Sequence, residues 1–288
     1  MSERFHVPSA SRPIRSAAAI LVLCGVWACG AVGLGGARGV TISGSDTMLE
    51  LNRRLAAAFM QAHPQIPVRV VGGGTGAGIS ALVAGDVDLA AASRPLAAAE
   101  VAAIHDRYRT LGVRFLLARD ALSVYLHPSN PLTDLSSADL KRLFAGEIES
   151  WAELGGDSRA VSVVIRPPTS GSHRFFRDHV LRGSPYSASA AVAPRTDDVL
   201  AMVAADPGAI GFGGLAHGPN LVHCAVDGVR PIEENVRQGL YPLTRYLVYY
   251  ASAPPEGHTR IFVDWCLSAE GQQIVREVGF VPLWSPPS

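Results

Sequence analysis

From residue 39 onward the chain alternates short apolar runs with segments whose apolar positions recur at helical spacing. Residues 40–42 predict a strand. Met48, Leu51, Leu55 and Phe59 then share one helix face, which His63 and Pro64 end. Residues 68–71 predict a second strand; Ile79, Leu82 and Val83 mark a helix; residues 87–91 predict a third strand. A helix is expected over 97–108, and two separate strands over 115–117 and 122–126, before prolines at 128 and 131. Ser136 and Ser137 open a helix carrying Leu140, Leu143 and Phe144. Residues 161–165 predict a strand running into Arg166, and Phe175, Phe176, His179 and Val180 form the next helix face. Thr196, Asp197 and Asp198 read as the cap of a helix bearing Val199, Leu200 and Val203, which Pro207 and Gly208 stop. Strands are expected over 209–212, 221–226 and 245–251, and one long amphipathic helix over 261–278. Strands alternating with helices imply an α/β chain with mostly parallel sheets covered on both faces. A ligand in such folds sits beyond the carboxyl ends of the strands.

Three strand ends share one further pattern. Each runs into a small, hydroxyl-bearing loop that opens a helix: GSDT at 44–47, GGGTGAG at 72–78 and RPPTSGS at 166–172. A helix start presents unpaired N–H groups and a partial positive charge, which suits an anion. Glycine lets the backbone approach closely, and Ser and Thr hydroxyls add adaptable donors. Arg166 adds a fixed fork of donors and a full charge suited to a tetrahedral oxyanion. Each loop alone also reads as ordinary capping. The coincidence of three starts with one strand-end arginine favours an anion site.

Two enzyme readings compete for the same residues. Gly72, Gly74 and Ala77 fit a dinucleotide-binding glycine pattern, but the acid expected about 20 residues on is absent at the end of the next strand. Ser170 sits in a strand-turn-helix setting, but G-x-S-x-G is missing and no histidine and acid accompany it by motif. No catalytic residue, cofactor or metal ligand is therefore assigned.

The first residues change the picture of where the chain works. Arg4, Arg12 and Arg15 precede an apolar run over 17–28 and then small residues over 30–36, the order of a secretory signal. VWAC at 26–29 reads as a lipobox with Cys29 as the acylated residue; ordinary cleavage near Gly39 is the alternative. A chain starting near Val40 keeps 21 basic and 24 acidic residues, a net charge of −3, so an anion must be attracted locally. No basic stripe marks a nucleic-acid partner. No later apolar run approaches the roughly 18 residues of a membrane helix. Cys224 and Cys266 remain, either paired or as two buried thiols.

These motifs together resemble the periplasmic phosphate-binding proteins of ABC transporters. The resemblance spans about residues 41–283. It rests on GSDTM (44–48), the glycine run with GDVDL (85–89) and SRPL (93–96), LKRLFAGEIESWAELGG (140–156), Arg166 with SGS (170–172), PGAIGF (207–212) and LSAEGQQIVREVGFVPL (267–283). It implies a two-lobed fold with each lobe a mixed sheet flanked by helices and the ligand in the cleft between them. The implied division is a signal segment over 1–39, one lobe of 40–118 with 241–288, and a second lobe of 119–240. It implies a monomer, exported to the periplasm or lipid-anchored at the envelope, that passes inorganic phosphate to permease subunits in the inner membrane. Another oxyanion, sulfate or molybdate, is the alternative ligand.

Carried over by position, the anion would meet Ser45, Thr47, Thr75, Ser93, Arg166, Ser170, Gly171 and Ser172. Ser172 stands where the family usually has Thr, and Ser93 where some members have Asp. Phosphate at neutral pH still carries a proton that a carboxylate can accept, whereas sulfate does not. Asp46 is the expected acceptor here. The acid that some members place two residues after the arginine is Pro168, which implies that Arg166 is held by other groups.

Overall fold

The computed structural model describes residues 39–284. The expected signal segment and Cys29 lie outside the described residues. The elements run β1 (Val40–Gly44), a 3-10 turn (Asp46–Met48), α1 (Leu49–Ala62), β2 (Val68–Val71), α2 (Thr75–Ala84), β3 (Leu89–Ala92) and α3 (Ala98–Tyr108). Then come β4 (Val113–Leu126), β5 (Asp134–Leu135), α4 (Ser137–Ala145), a second 3-10 turn (Trp151–Leu154), β6 (Ser162–Ile165), α5 (Gly171–His179) and β7 (Ala191–Val192). The chain continues with α6 (Thr196–Ala205), β8 (Ala209–Gly214), β9 (Val222–Val226), α7 (Glu233–Arg237), β10 (Thr244–Ala251), α8 (Gly257–Cys266) and α9 (Ala269–Val278).

The α/β architecture read from the alternation is present. β1 lies between β2 and β3, all parallel, and β6 lies between β7 and β8, also parallel. Antiparallel β10 and β4 stand between these two groups and join them in one hydrogen-bonded path. Two large apolar cores flank the join. One gathers Ile42, Leu51, Leu55, Phe59, Leu117, Ala118, Leu247 and Phe262. The other gathers Ala121, Leu122, Val124, Phe144, Trp151, Phe176 and Phe212. Each fully buried Leu or Phe contributes about 1.5–3 kcal/mol relative to exposure. β4 feeds both cores, its first half one and its second half the other.

β4 corrects the expectation of two short strands. The polar pair Arg119 and Asp120 interrupts the apolar pattern but not the strand. Asp120 is fully buried because Arg245, directly opposite on β10, pairs with it. The expected single helix over 261–278 is two. Ser268 caps α9 by accepting from the Gly271 N–H at 3.4 Å. Gln272, buried behind the break, donates from Nε2 to the carbonyls of Cys266 and Leu117, both at 3.1 Å. Period alone cannot show a break whose helices share one apolar face. The short α7, β5 and β7 have no counterpart in the pattern of apolar positions.

Cys224 and Cys266 are free, one in each large core. Burial pushes the Cys224 thiol up to about 12 and raises Cys266 as well. No helix among the described residues is long and apolar enough to cross a membrane.

Candidate functional site

All three helix starts lie beyond the carboxyl ends of β1, of β2 and of β6, and they meet. Gly44 closes β1 at φ +141°; a side chain there would run into the Ala91 carbonyl of β3 at 2.1 Å, so only glycine lets the two strand ends approach. The turn carries Ser45, Asp46 and Thr47 into the centre. Thr75 opens α2, and Ser93 follows β3. From the other half, Arg166 follows β6 and Ser170, Gly171 and Ser172 open α5.

The contacts where the helix starts meet are direct. Thr47 Oγ1 lies 3.3 Å from Ser172 Oγ. Thr75 Oγ1 lies 3.4 Å from Ser93 Oγ and accepts from the Ser93 N–H at 3.3 Å. Gly171 presses against both hydroxyls: a Cβ there would stand 2.4 Å from each. The Gly76 N–H donates to the Thr169 carbonyl at 3.0 Å, and His217 Nε2 donates to the Thr47 carbonyl at 3.1 Å. Ser45, Thr47, Thr75, Ser93, Arg166, Ser170 and Ser172 are all buried.

Capping accounts for only part of this. Ser170 does cap α5, accepting from the His173 N–H at 3.5 Å. Ser45 and the start of α2 make no such side-chain bond. Thr75 instead turns its hydroxyl to Ser93, a contact that capping does not require.

Arg166 is held by groups other than a nearby acid in its own loop. Its Nη2 donates to Asp46 Oδ2 at 2.8 Å and to the Pro194 carbonyl at 3.0 Å, and its Nη1 donates to Thr196 Oγ1 at 2.8 Å. Its Nε is buried without a hydrogen-bond partner. Burial pulls the guanidinium below its ordinary value, and the Asp46 carboxylate acts against that. Thr196 is thus corrected. It begins α6 but does not cap it; the capping acceptor is Asp198, which takes the Arg195 N–H at 2.9 Å.

Asp46 is doubly engaged. Besides Arg166, it accepts the Gly73 N–H on Oδ1 at 2.9 Å, tying the first loop to the glycine run. It thereby positions the arginine of the opposite half. Beside the site, Arg94 grips Glu100 through two bonds of 2.7 Å each, which fixes the turn after Ser93.

A family model described as a PBP superfamily domain matches residues 30–270. The phosphate-binding protein PstS of Bacillus subtilis is 30% identical over 247 residues, covering 85% of this chain and 80% of its own. The chain belongs to the phosphate-binding protein family of the PBP superfamily. Two solved structures agree in fold. A putative phosphate ABC transporter substrate-binding protein from Clostridium perfringens, with bound phosphate, is 26% identical at a TM-score of 0.79 and covers 85% of this chain and all of its own. An ABC-type phosphate transport receptor from Vibrio cholerae is also 26% identical, at a TM-score of 0.71, covering 84% of this chain and 99% of its own.

Within this member of the family, sequence reasoning passed over Arg245. It is buried, and its Nη1 donates to Ser172 Oγ at 2.8 Å. A charged residue opening a long β run, with an unexplained Asp120 in the gap between two apolar runs, was the available signal. Nothing local links residues 125 apart, so only the strand pairing reveals the pair.

Proposed function

We propose that this protein binds inorganic phosphate between its two halves and delivers it to an ABC-type importer, without chemical turnover. The observation that carries the reading is the meeting of three helix starts with the Arg166 guanidinium in one buried, hydroxyl-lined place. Hydrogen bonds to a charged group are worth about 1.5–3 kcal/mol each, and micromolar binding needs about 8 kcal/mol net. Half a dozen such bonds leave a margin for the cost of association. The proposed ligand groups are Ser45, Thr47, Thr75, Ser93, Arg166, Ser170, Gly171 and Ser172, with Asp46 receiving the anion's proton or holding Arg166.

The proposed lobes are 40–118 with 241–288, and 119–240. Their support is the division of the two large cores, one drawn from residues between 40 and 118 and between 247 and 280, the other mainly from residues between 121 and 243. The signal pattern before residue 39 supports export to the periplasm or the envelope, free or anchored through Cys29, with permease subunits as partners.

Calorimetry with phosphate, sulfate and molybdate tests the reading. Micromolar or tighter binding of phosphate with much weaker binding of the others is expected. Preference for sulfate or molybdate would reassign the protein to another oxyanion, a reading that Ser93 in place of an acid and the engagement of Asp46 by Arg166 would then explain.

A further inference from the structure

We propose that Arg245, held by Asp120, is a positioning residue for the anion site, acting through Ser172. The inference rests on the phosphate-binding reading above and adds a group that does not touch the anion.

Arg245 stands on β10 directly opposite Asp120 on β4, at the point where both strands pass from one core to the other. Its Nε and Nη2 both donate to Asp120 Oδ2, at 2.9 and 2.7 Å. Asp120 Oδ1 accepts the Leu215 N–H at 3.0 Å, so the carboxylate is fixed from a second direction. The Phe175 ring lies beneath the guanidinium, 5.8 Å from its carbon. With side chains 1% and 0% exposed, neither charge has solvent to turn to. Only Nη1 reaches outward, and it donates to Ser172 Oγ at 2.8 Å.

That bond decides what Ser172 can do. A hydroxyl has one proton and two lone pairs, and a guanidinium can only donate. One lone pair of Ser172 is therefore taken by Arg245, and the proton must point away from it, into the space shared with Thr47 and the start of α5. Ser172 becomes a donor with a fixed direction, which suits an anion and costs no reordering when the anion arrives. The positive charge one hydroxyl away strengthens that donor further. Arg245 and Arg166 thus divide the work: Arg166 offers its fork to the site, and Arg245 orients a neutral donor within it. Lysine keeps the charge but not the planar fork that spans Asp120 and Ser172 together.

The test is a double-mutant cycle on phosphate affinity by calorimetry, using R245K, S172A and the double variant in the otherwise intact chain. R245K is expected to weaken phosphate binding about tenfold, the range of one hydrogen bond to a charged group. In the S172A background the same change should add less than twofold, while S172T, which restores a hydroxyl, should restore the sensitivity. Thermal unfolding checks that each variant is folded. Because altering a buried ion pair endangers folding, the cycle is repeated with R245Q and D120N combined, a neutral pair that retains hydrogen bonding. Equal losses with and without the Ser172 hydroxyl, or no loss in either version, would overturn the proposal. If the unaltered protein binds phosphate and the cycle is additive, the positioning role alone falls; if the unaltered protein does not bind phosphate, both readings fall together.

Discussion

Two buried pairs of arginine and aspartate serve this protein in opposite ways. Arg166 and Asp46 come from different halves, and their bond of 2.8 Å crosses the space between the helix starts. Its carboxylate keeps 10% exposure, and the Arg166 Nε has no partner. Arg245 and Asp120 face each other on adjacent strands, and no side-chain nitrogen of Arg245 is left without a partner. The first pair retains donor capacity and depends on the two halves being together. The second has a partner on every arginine nitrogen and depends on the pairing of two adjacent strands. A buried pair earns its place less by stability, since an apolar replacement is often as stable, than by the direction it imposes. Here one pair imposes closeness of two halves, and the other imposes the orientation of one hydroxyl.

The comparison breaks most clearly at Arg166. Arg166→Ala removes the guanidinium from the site and leaves the Asp46 carboxylate with only the Gly73 N–H, so phosphate affinity should fall by at least a hundredfold in calorimetry. A loss under tenfold would place the anion elsewhere. Gly171→Ala attacks the approach of the halves without touching either pair. Its methyl would stand 2.4 Å from Thr75 Oγ1 and from Ser93 Oγ. Affinity should fall about tenfold or more, an overpacking cost of about 1–3 kcal/mol falling on the closed arrangement. Unchanged affinity would mean that phosphate does not need this contact.

Asp46→Asn sharpens the role of the first pair. If Asp46 accepts the phosphate proton, the variant should bind sulfate nearly as well as phosphate. If Asp46 serves only to hold Arg166, both anions should weaken together by a few-fold while the preference stays. Competition calorimetry with the two anions separates these outcomes.

The smallest expected effect concerns pH. His173 lies behind Arg166, its Nδ1 donating to the Arg166 carbonyl at 2.6 Å, and burial holds its pKa below the ordinary 6.5. The unfolded chain then takes up a proton more readily than the folded one. Stability should be full above about pH 6.5 and decline as pH falls from there toward the folded value. His223, lowered by burial as well, adds in the same direction. Thermal midpoints measured from pH 7.5 to about 5 should therefore fall, and His173→Gln should flatten the slope in part; an unchanged slope would remove His173 from the account.

Much of this was legible in residue order. β1, α1, β2 and α2 follow directly from period and breaker residues, because their amphipathic faces are set by neighbours along the chain. The helix starts were visible because glycine and hydroxyl residues cluster there for local backbone reasons. The two misread joins err in opposite directions: the apolar pattern shows a gap where β4 is continuous, and one helix over 261–278 where α8 and α9 are separate. Asp120 sits inside a continuous β4, and Gln272 sits behind a real break between α8 and α9. A buried polar residue is tolerated only when it has a partner, and the partners, Arg245 in one case and the Cys266 and Leu117 carbonyls in the other, are distant or structural.

The sequence by itself determined the alternation of strands and helices, the three donor-rich loops and Arg166 as the charge at a strand end, since these depend on spacing and local chemistry. The tertiary structure alone decided who holds whom. It set Asp46 against Arg166, Thr196 behind Arg166, Thr47 against Ser172, and Arg245 behind Ser172. The reason is that hydrogen bonds and charge pairs are fixed by distance in space, and residues more than a hundred positions apart acquire that distance only when the sheet has formed.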